Sequence, residues 1–312
     1  MKKQTLLLIT LLPLLLTAQV RWKNVDSLYT PLPPTVHVFY TNDSIDGKPN
    51  IAYYLSAQLK DKNIDFATQI GKGKRFTPTQ YFEAEDKPLV VVNCTFFEFV
   101  HNSNLNLVIN DGKLLAYNNG SNVGRGKDTF TYRHTLNSAI GITKKRRADV
   151  AWLLTDSSFK IPFASQVAVE PTKDSSAKFH YNTSALSKWK MQVAVGGGPV
   201  LLQHGNILIS NNQEMKFGGK QGLTDKHPRT CMGYTNNGQL IIMVIQGRFP
   251  GIAEGVNLTQ EAQLLKDIGC TEALNLDGGG SSCLLVNGKP TIKVSDKEGQ
   301  RPVPAVFMIK TR

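Results

Sequence analysis

Four short stretches constrain this chain most: VINDGKLLA (108–116), LLQHGNILI (201–209), YTNNGQLII (234–242) and LLVNGKPTI (284–292). Each sets a polar–glycine pair between two apolar runs. Asn-Gly and Asp-Gly supply the positive φ that tight hairpins require, so the pattern predicts antiparallel sheet. Two helices stand beside these hairpins. Thr77-Pro78-Thr79-Gln80 offers an N-cap threonine, a first-turn proline and a capping-box glutamine. Asn257-Leu258-Thr259-Gln260 opens the second helix, which keeps Ala262, Leu265 and Ile268 on one face and stops at Gly269. The expected class is therefore α+β: one domain, rich in antiparallel or mixed β-sheet, with a few helices packed on one side. A doubly wound parallel sheet does not fit.

The chain has 312 residues, enough for one large domain or two small ones. Its first residues stand apart. Met1-Lys2-Lys3 is a basic start, Leu6 to Leu16 is an almost unbroken apolar run, and Thr17-Ala18-Gln19 follows. This is the pattern of a secretory signal, too short for a stable membrane span. Residues 1–19 are thus read as a signal peptide and 20–312 as the mature domain, periplasmic or secreted, with no membrane span elsewhere. The formal charge of +12 falls to +10 once Lys2 and Lys3 are removed. An excess of this sign suits an acidic or phosphorylated partner, although a basic pI without meaning fits equally well. The longest basic run, Lys144 to Arg147, lies between strand-like segments and reads as a solvated hairpin tip. No aromatic-interleaved basic stripe accompanies it, so nucleic acid is not an expected partner. Cys94, Cys231, Cys270 and Cys283 allow three disulfide pairings, and their spacing fits no structural zinc site.

The two helices also suggest an internal duplication. Each begins a run of helix, strand, tight corner and hairpin, one from Thr77 to the turn at Asp111-Gly112 and the other from Asn257 to the turn at Asn287-Gly288. Chance likeness among β-rich segments explains this as well as duplication does. If the copies are real, the corners after Val92 and Leu276 converge on one cleft.

The candidate chemistry sits at such corners. ALNLDGGGSS (273–282) runs from a strand into Asp277, Gly278, Gly279, Gly280, Ser281 and Ser282. It lacks the spacing of a Walker loop or a dinucleotide fingerprint. A structural turn is the plain reading. The functional reading is an anion-binding nest of bare N–H groups beside a carboxylate. A second triplet, VGGGPVLL (195–202), ends in Pro199. KHPRTCMG (226–233) brings His227, Arg229 and Thr230 to a strand start, and VIQGRFPG (244–251) brings Arg248 to a turn. The guanidinium fork suits phosphate or carboxylate. VVVNCTFFEF (90–99) delivers Asn93 and Glu98 after a buried strand.

Together these motifs resemble the phosphodiester glycosidase family, from about Pro88 to the C-terminus. The resemblance rests on HPRTCMGYTNNGQLIIMVIQGR, on NLDGGGSSCLLVNGKP with its Asn-Leu-Asp-Gly-Gly-Gly-Ser-Ser corner, and on the closing SDKEGQRPVPAVFMI. Family members often carry Asn-Gly-Gly-Phe-Phe where this chain has Asn93-Cys94-Thr95-Phe96-Phe97, which narrows that corner and points to a different sugar. The resemblance implies hydrolysis of a sugar-1-phosphodiester, on a phosphorylated glycan or glycoconjugate, at the glycosidic C–O bond. Asp277 would stand nearest the anomeric carbon, as nucleophile or base, with Glu98 as the second carboxylate. Asn93, His227, Arg229, Thr230, Arg248, Gly278 to Gly280 and Ser281 would bind substrate. No metal or cofactor is expected. The rival class is a non-catalytic binder of phosphorylated or acidic glycans in the cell envelope. Retention or inversion would follow from the Asp277–Glu98 separation.

Overall fold

The structure, a computed structural model, describes residues 19–124, 126–158, 160–176, 183–218 and 221–312. The basic start and apolar run assigned to a signal peptide, up to residue 18, lie outside the described residues. So does part of the polar stretch around 177–182.

All four glycine hairpins are present, and every strand pairing among the described residues is antiparallel. The fold is predominantly β, in four sheets. An eight-stranded sheet has Ala52–Gln58, Gln239–Ile245, Arg229–Thr235 and Cys270–Asn275 at its centre. A five-stranded sheet sets Val90–Asn93 between Leu284–Val286 and Ala305–Thr311. A seven-stranded sheet is built around the hairpin of Asn137–Ile142 and Ala148–Leu154. The fourth is a three-stranded flap that includes Ser121–Val123 and Tyr132–His134.

These large sheets enclose one core. Leu240, Ile242 and Val244 meet Val90, Val92 and Phe307 from the five-stranded sheet and Ile140, Val150 and Trp152 from the seven-stranded one. The intervening residues face the other way. Ile241, Met243 and Ile245 pack with Leu258, Ala262 and Leu265 of the helix Leu258–Ile268. Val91, Leu285 and Met308 pack with Tyr81 of the helix Pro78–Ala84. Strands covered on both faces read as continuous apolar runs instead of alternating ones. The two helices therefore lie on different sheets, not together on one side.

Both capping boxes form as read from sequence. Thr77 and Gln80 exchange bonds at one helix start, Asn257 and Gln260 at the other, and Gly269 closes the second helix at φ 94°. In each run of the suggested duplication the strand and the hairpin that follows it lie in different sheets. The hairpin after Val90–Asn93 joins the seven-stranded sheet, whereas the one after Cys270–Asn275 joins the five-stranded sheet. All four cysteines are buried free thiols. Among the described residues no helix is long and apolar enough to cross a membrane.

The basic hairpin tip departs from the solvated reading at one residue. Lys144, Lys145 and Arg147 are exposed, but the Arg146 guanidinium donates to the carbonyls of Leu59 (3.3 Å), Asp61 (2.8 Å) and Ile64 (2.6 Å) and to Asp65 Oδ1 (2.6 Å). It also lies over the Phe66 ring, 5.4 Å from the centroid. Arg146 thus ties two sheets together. Charge-assisted bonds of this kind are each worth more than neutral ones. Arg146→Met should lower unfolding free energy by about 1–3 kcal/mol, and Lys145→Met should change it by less than about 0.5 kcal/mol, both read by urea denaturation.

Candidate active site

The corners after Val92 and Leu276 converge. Asn93 is fully buried, and its Nδ2 donates to the Asp277 carbonyl at 2.5 Å. Its Oδ1 accepts from the Thr230 hydroxyl (2.9 Å) and the Cys283 N–H (3.0 Å). The Asp277 N–H donates to the Cys94 carbonyl at 2.8 Å. Asn93 and Thr230 therefore build the floor of the site, bonded to each other and to the Asp277 corner.

The glycine triplet is shaped by close neighbours. Gly279 has φ 61°, and a Cβ there would stand 2.9 Å from Arg248 Nη2. A Cβ on Gly280 would collide with the Arg301 guanidinium, and one on Gly278 would stand 2.7 Å from the Pro228 carbonyl oxygen. The bare main chain thus admits two arginines. The amides are less available than the nest reading requires. The Gly279 N–H donates to the Pro228 carbonyl (2.8 Å), and those of Ser281 and Ser282 turn back on the carbonyls of Gly278 and Gly279 (3.1 and 3.3 Å). Positive charge at this corner comes from side chains.

Arg248 is exposed and holds a left-handed backbone, φ 66°. Gly247 beside it is required by close packing, since a Cβ there would meet Pro228 N at 2.6 Å. Arg301 donates from Nε to Asp296 Oδ2 at 2.6 Å. Burial pushes the Asp277 carboxyl up to about 7, against the Ser281 hydroxyl, the Arg301 charge and the Gly278 N–H. His227 is held below its usual value by burial and by the charges of Arg229 and Arg248, so its ring is neutral at pH 7. Its Nδ1 is buried without a hydrogen-bond partner.

Two expected site residues are placed differently from their neighbours. Arg229 is buried and turns its guanidinium to the carbonyls of Val256 (3.1 Å) and Asp225 (3.2 Å), over the Phe217 ring. It shares a strand face with Cys231, which packs toward the helix Leu258–Ile268. There the buried Glu261 carboxyl is pushed up to about 7 by burial, opposed by the Arg229 charge and the Cys231 thiol. Glu98 accepts from the N–H groups of Val100 (2.8 Å), His101 (2.5 Å) and Ser103 (3.3 Å) and from the Ser103 hydroxyl (3.0 Å). Burial acts upward on Glu98, but these donors outweigh it and hold the carboxyl at about 2. It organises the loop Phe97–Asn104. Phe99 of that loop is exposed and lies over Arg301, 5.9 Å from centroid to guanidinium.

The second glycine corner abuts the first. Asn275 Nδ2 donates to the Gly198 carbonyl (2.9 Å), and the Asn275 N–H to that of Pro199 (3.0 Å). Beside Gly198 opens a cavity of about 210 Å³ lined by Phe96, Asn119, Asn122, Glu214, Lys216 and Phe217 among others. Phe96 and Phe217 meet edge to face at 6.0 Å. Among the described residues no group of three or more His, Cys, Asp or Glu is placed to hold a metal ion.

A half-buried aspartate flanked by arginines at a glycine corner is a geometry that can favour breaking a bond to an anionic leaving group. Residues 86–310 match the family model described as phosphodiester glycosidase. The chain belongs to the phosphodiester glycosidase family. It is similar to the N-acetylglucosamine-1-phosphodiester alpha-N-acetylglucosaminidase of Mus musculus, 34% identical over 95 residues. That match covers 28% of this chain and 18% of the mouse protein. An uncharacterized SPbeta prophage-derived protein of Bacillus subtilis is 38% identical over 74 residues, covering 24% of this chain and 11% of that protein. The chain thus spans less than a fifth of these curated relatives. In fold it is similar to the zebrafish N-acetylglucosamine-1-phosphodiester alpha-N-acetylglucosaminidase catalytic domain auto-inhibited by its pro-peptide, with TM-score 0.61 and 20% identity over 95% of this chain and 89% of that one. A hypothetical protein from Synechocystis gives TM-score 0.60 at 14% identity, covering 94% of this chain and 68% of that chain.

Arg301 is the site-lining residue of this family member that sequence reasoning missed. It stands between Gly299-Gln300 and Pro302, ahead of a strand, the same setting that singled out Arg229 and Arg248. Glu214 and Lys216 carried no motif at all. The Asp277 geometry predicts a stability signature. A carboxyl ionised in the unfolded chain above 3.8 but in the folded protein only near 7 penalises folding increasingly across that interval. Asp277→Asn should therefore gain stability relative to wild type as pH rises from 5 to 8, by at most about 3 kcal/mol. Melting curves at the two pH values measure the difference.

Proposed function

We propose that this chain is an exported hydrolase that cleaves the glycosidic C–O bond of a sugar-1-phosphodiester. The observation that carries the reading is the pairing of a carboxyl poised near pH 7, Asp277, with the Arg248 and Arg301 guanidinium groups at Gly279 and Gly280. Export rests on the basic start and apolar run of residues 1–19. The substrate class takes support from the name of the mouse relative.

In this mechanism the phosphodiester lies between Arg248 and Arg301, with Asp277 toward the anomeric carbon. The C1–O bond breaks with its electron pair going to the phosphate oxygen. The departing phosphomonoester is stable as an anion, so it needs positive charge more than a proton. Ionised Asp277 stabilises the oxocarbenium-like centre and takes a proton from the attacking water, whose oxygen bonds to C1. Neutral His227, with Nδ1 unsatisfied, offers a hydrogen bond to a substrate oxygen. Asn93, Thr230 and Arg229 hold the corner in position from beneath. Glu98, ionised throughout the neutral range, keeps the loop bearing Phe99 against Arg301. It acts on the reaction as that loop's anchor and supplies no proton.

Sugar release from the methyl phosphodiester of N-acetylglucosamine 1-phosphate, and of other hexose 1-phosphates, tests the reading by mass spectrometry. Asp277→Asn should lower kcat by about 10²–10⁴-fold with the fold intact. Arg248→Ala should reduce kcat/KM by about 10²–10³-fold. Glu98→Gln should retain activity to within about tenfold. Because Asp277 works as the anion, kcat/KM should rise with pH through about 7 and then level. Diesters that bind but release no sugar would make the chain a glycan-phosphate binder instead.

A further inference from the structure

The cavity beside Gly198 holds a cation that the catalytic reading leaves without a role. Lys216 lies on its wall, with Nζ 5.4 Å from the centroid of the Phe96 ring. Burial pushes its ammonium down to about 8, and the Glu214 charge opposes the shift. A half-buried ammonium needs an anion or a set of acceptors. Glu214 is the obvious candidate, but other groups already occupy it. Its Oε1 accepts from Trp152 Nε1 (3.1 Å), the Val200 N–H (3.0 Å) and the Ser210 hydroxyl (2.6 Å). Its Oε2 accepts from the N–H and hydroxyl of Ser138 (3.0 and 2.8 Å). A carboxylate offers about four acceptor sites, and five donors fill them. The Lys216 N–H donates to the Asn211 carbonyl (3.3 Å), but its ammonium makes no hydrogen bond or ion pair among the described residues.

The rest of the wall has the character of a sugar site. Phe96 and Phe217 line it with aromatic rings, and Asn119 and Asn122 are among its polar residues. A few polar groups on an apolar, aromatic wall are the usual make-up of a small-ligand pocket. The volume of about 210 Å³ equals the liquid share of roughly seven waters, enough for one pyranose ring. The location is also apt. Gly198, next to Lys216, is bonded to Asn275, two residues before Asp277. Phe96 follows the Cys94 carbonyl that receives the Asp277 N–H.

We propose that this cavity receives the glycosyl ring of the substrate and that Lys216 selects a ring bearing an anionic substituent, a carboxylate or a phosphoryl group. The proposal rests on the reading of the chain as a phosphodiester glycosidase acting at Asp277. Lys216 is then a specificity-determining contact, remote from the bond that breaks. The ammonium is a compact point charge and accepts either anion.

The test compares kcat/KM for the methyl phosphodiesters of glucose 1-phosphate, glucuronic acid 1-phosphate and glucose 1,6-bisphosphate. Wild type should prefer at least one charged donor over the glucose donor by about tenfold or more. Which of the two is favoured identifies the anion. The ratio should fall to about 1 in Lys216→Met and recover in part in Lys216→Arg. A wild-type ratio near 1, or a preference that survives in Lys216→Met, overturns the proposal. If no diester is cleaved, the catalytic reading fails, and calorimetry with glucuronate, glucose 6-phosphate and glucose decides the cavity separately. Binding of an anionic sugar that Lys216→Met abolishes supports it. Equal binding of all three, or none, overturns it.

Discussion

The side-chain amide of Asn93 is the contact on which the candidate site depends. From one buried position it holds the Asp277 carbonyl, the Thr230 hydroxyl and the Cys283 N–H. Those groups belong to the glycine corner, to the eight-stranded sheet and to the residue just ahead of Leu284–Val286 in the five-stranded one. A buried amide of this kind is stabilising only when all its partners are in place, so it fixes one geometry and penalises near alternatives. Asp277 inherits its position from that lock. Its main-chain N–H and C=O are both engaged, by Cys94 and Asn93, and only the carboxyl remains to act.

Above that floor, charge is distributed unevenly. Arg229 donates to backbone carbonyls beside the Glu261 carboxyl and Arg301 pairs with Asp296, whereas the Arg248 guanidinium has no carboxylate partner among the described residues. The site thus grades from a fully compensated interior to an uncompensated rim. An incoming anion meets Arg248 first, and Arg301, already polarised by Asp296, second. The net charge of the chain matters less than this gradient, because solvent screens the many exposed lysines.

What the sequence made legible was local. The capping boxes at Thr77 and Asn257 and the four glycine hairpins each involve groups within a few residues of one another, and each formed as read. The meeting of the corners at Asn93 and Asp277 was foreseen from a suggested repeat, yet the hairpins that follow them join different sheets. The division of strands among sheets is set by the shared core, to which no single segment testifies. Side-chain destinations were less legible still. Glu98 looked like a second carboxylate because its loop follows Asn93, but its own loop supplies four donors that sequence does not display. Arg146 looked solvated, and its carbonyl partners lie more than eighty residues away. Lys216 and Glu214 sit in a stretch without pattern, and only the packing of Gly198 against them gives them meaning.

The four buried thiols have a consequence for the chain's chemistry as a whole. Burial pushes Cys94, Cys270 and Cys283 up to about 12, and Cys231 is also raised well above its usual value. Disulfide exchange runs through the thiolate, and at neutral pH a thiol of this kind is ionised in only about one molecule in 10⁵. Such sulfurs behave as small hydrocarbons. The native fold contains no disulfide for an oxidant to form or an isomerase to sort. A reductant that would unravel a disulfide-stapled protein has no such bond to cleave here.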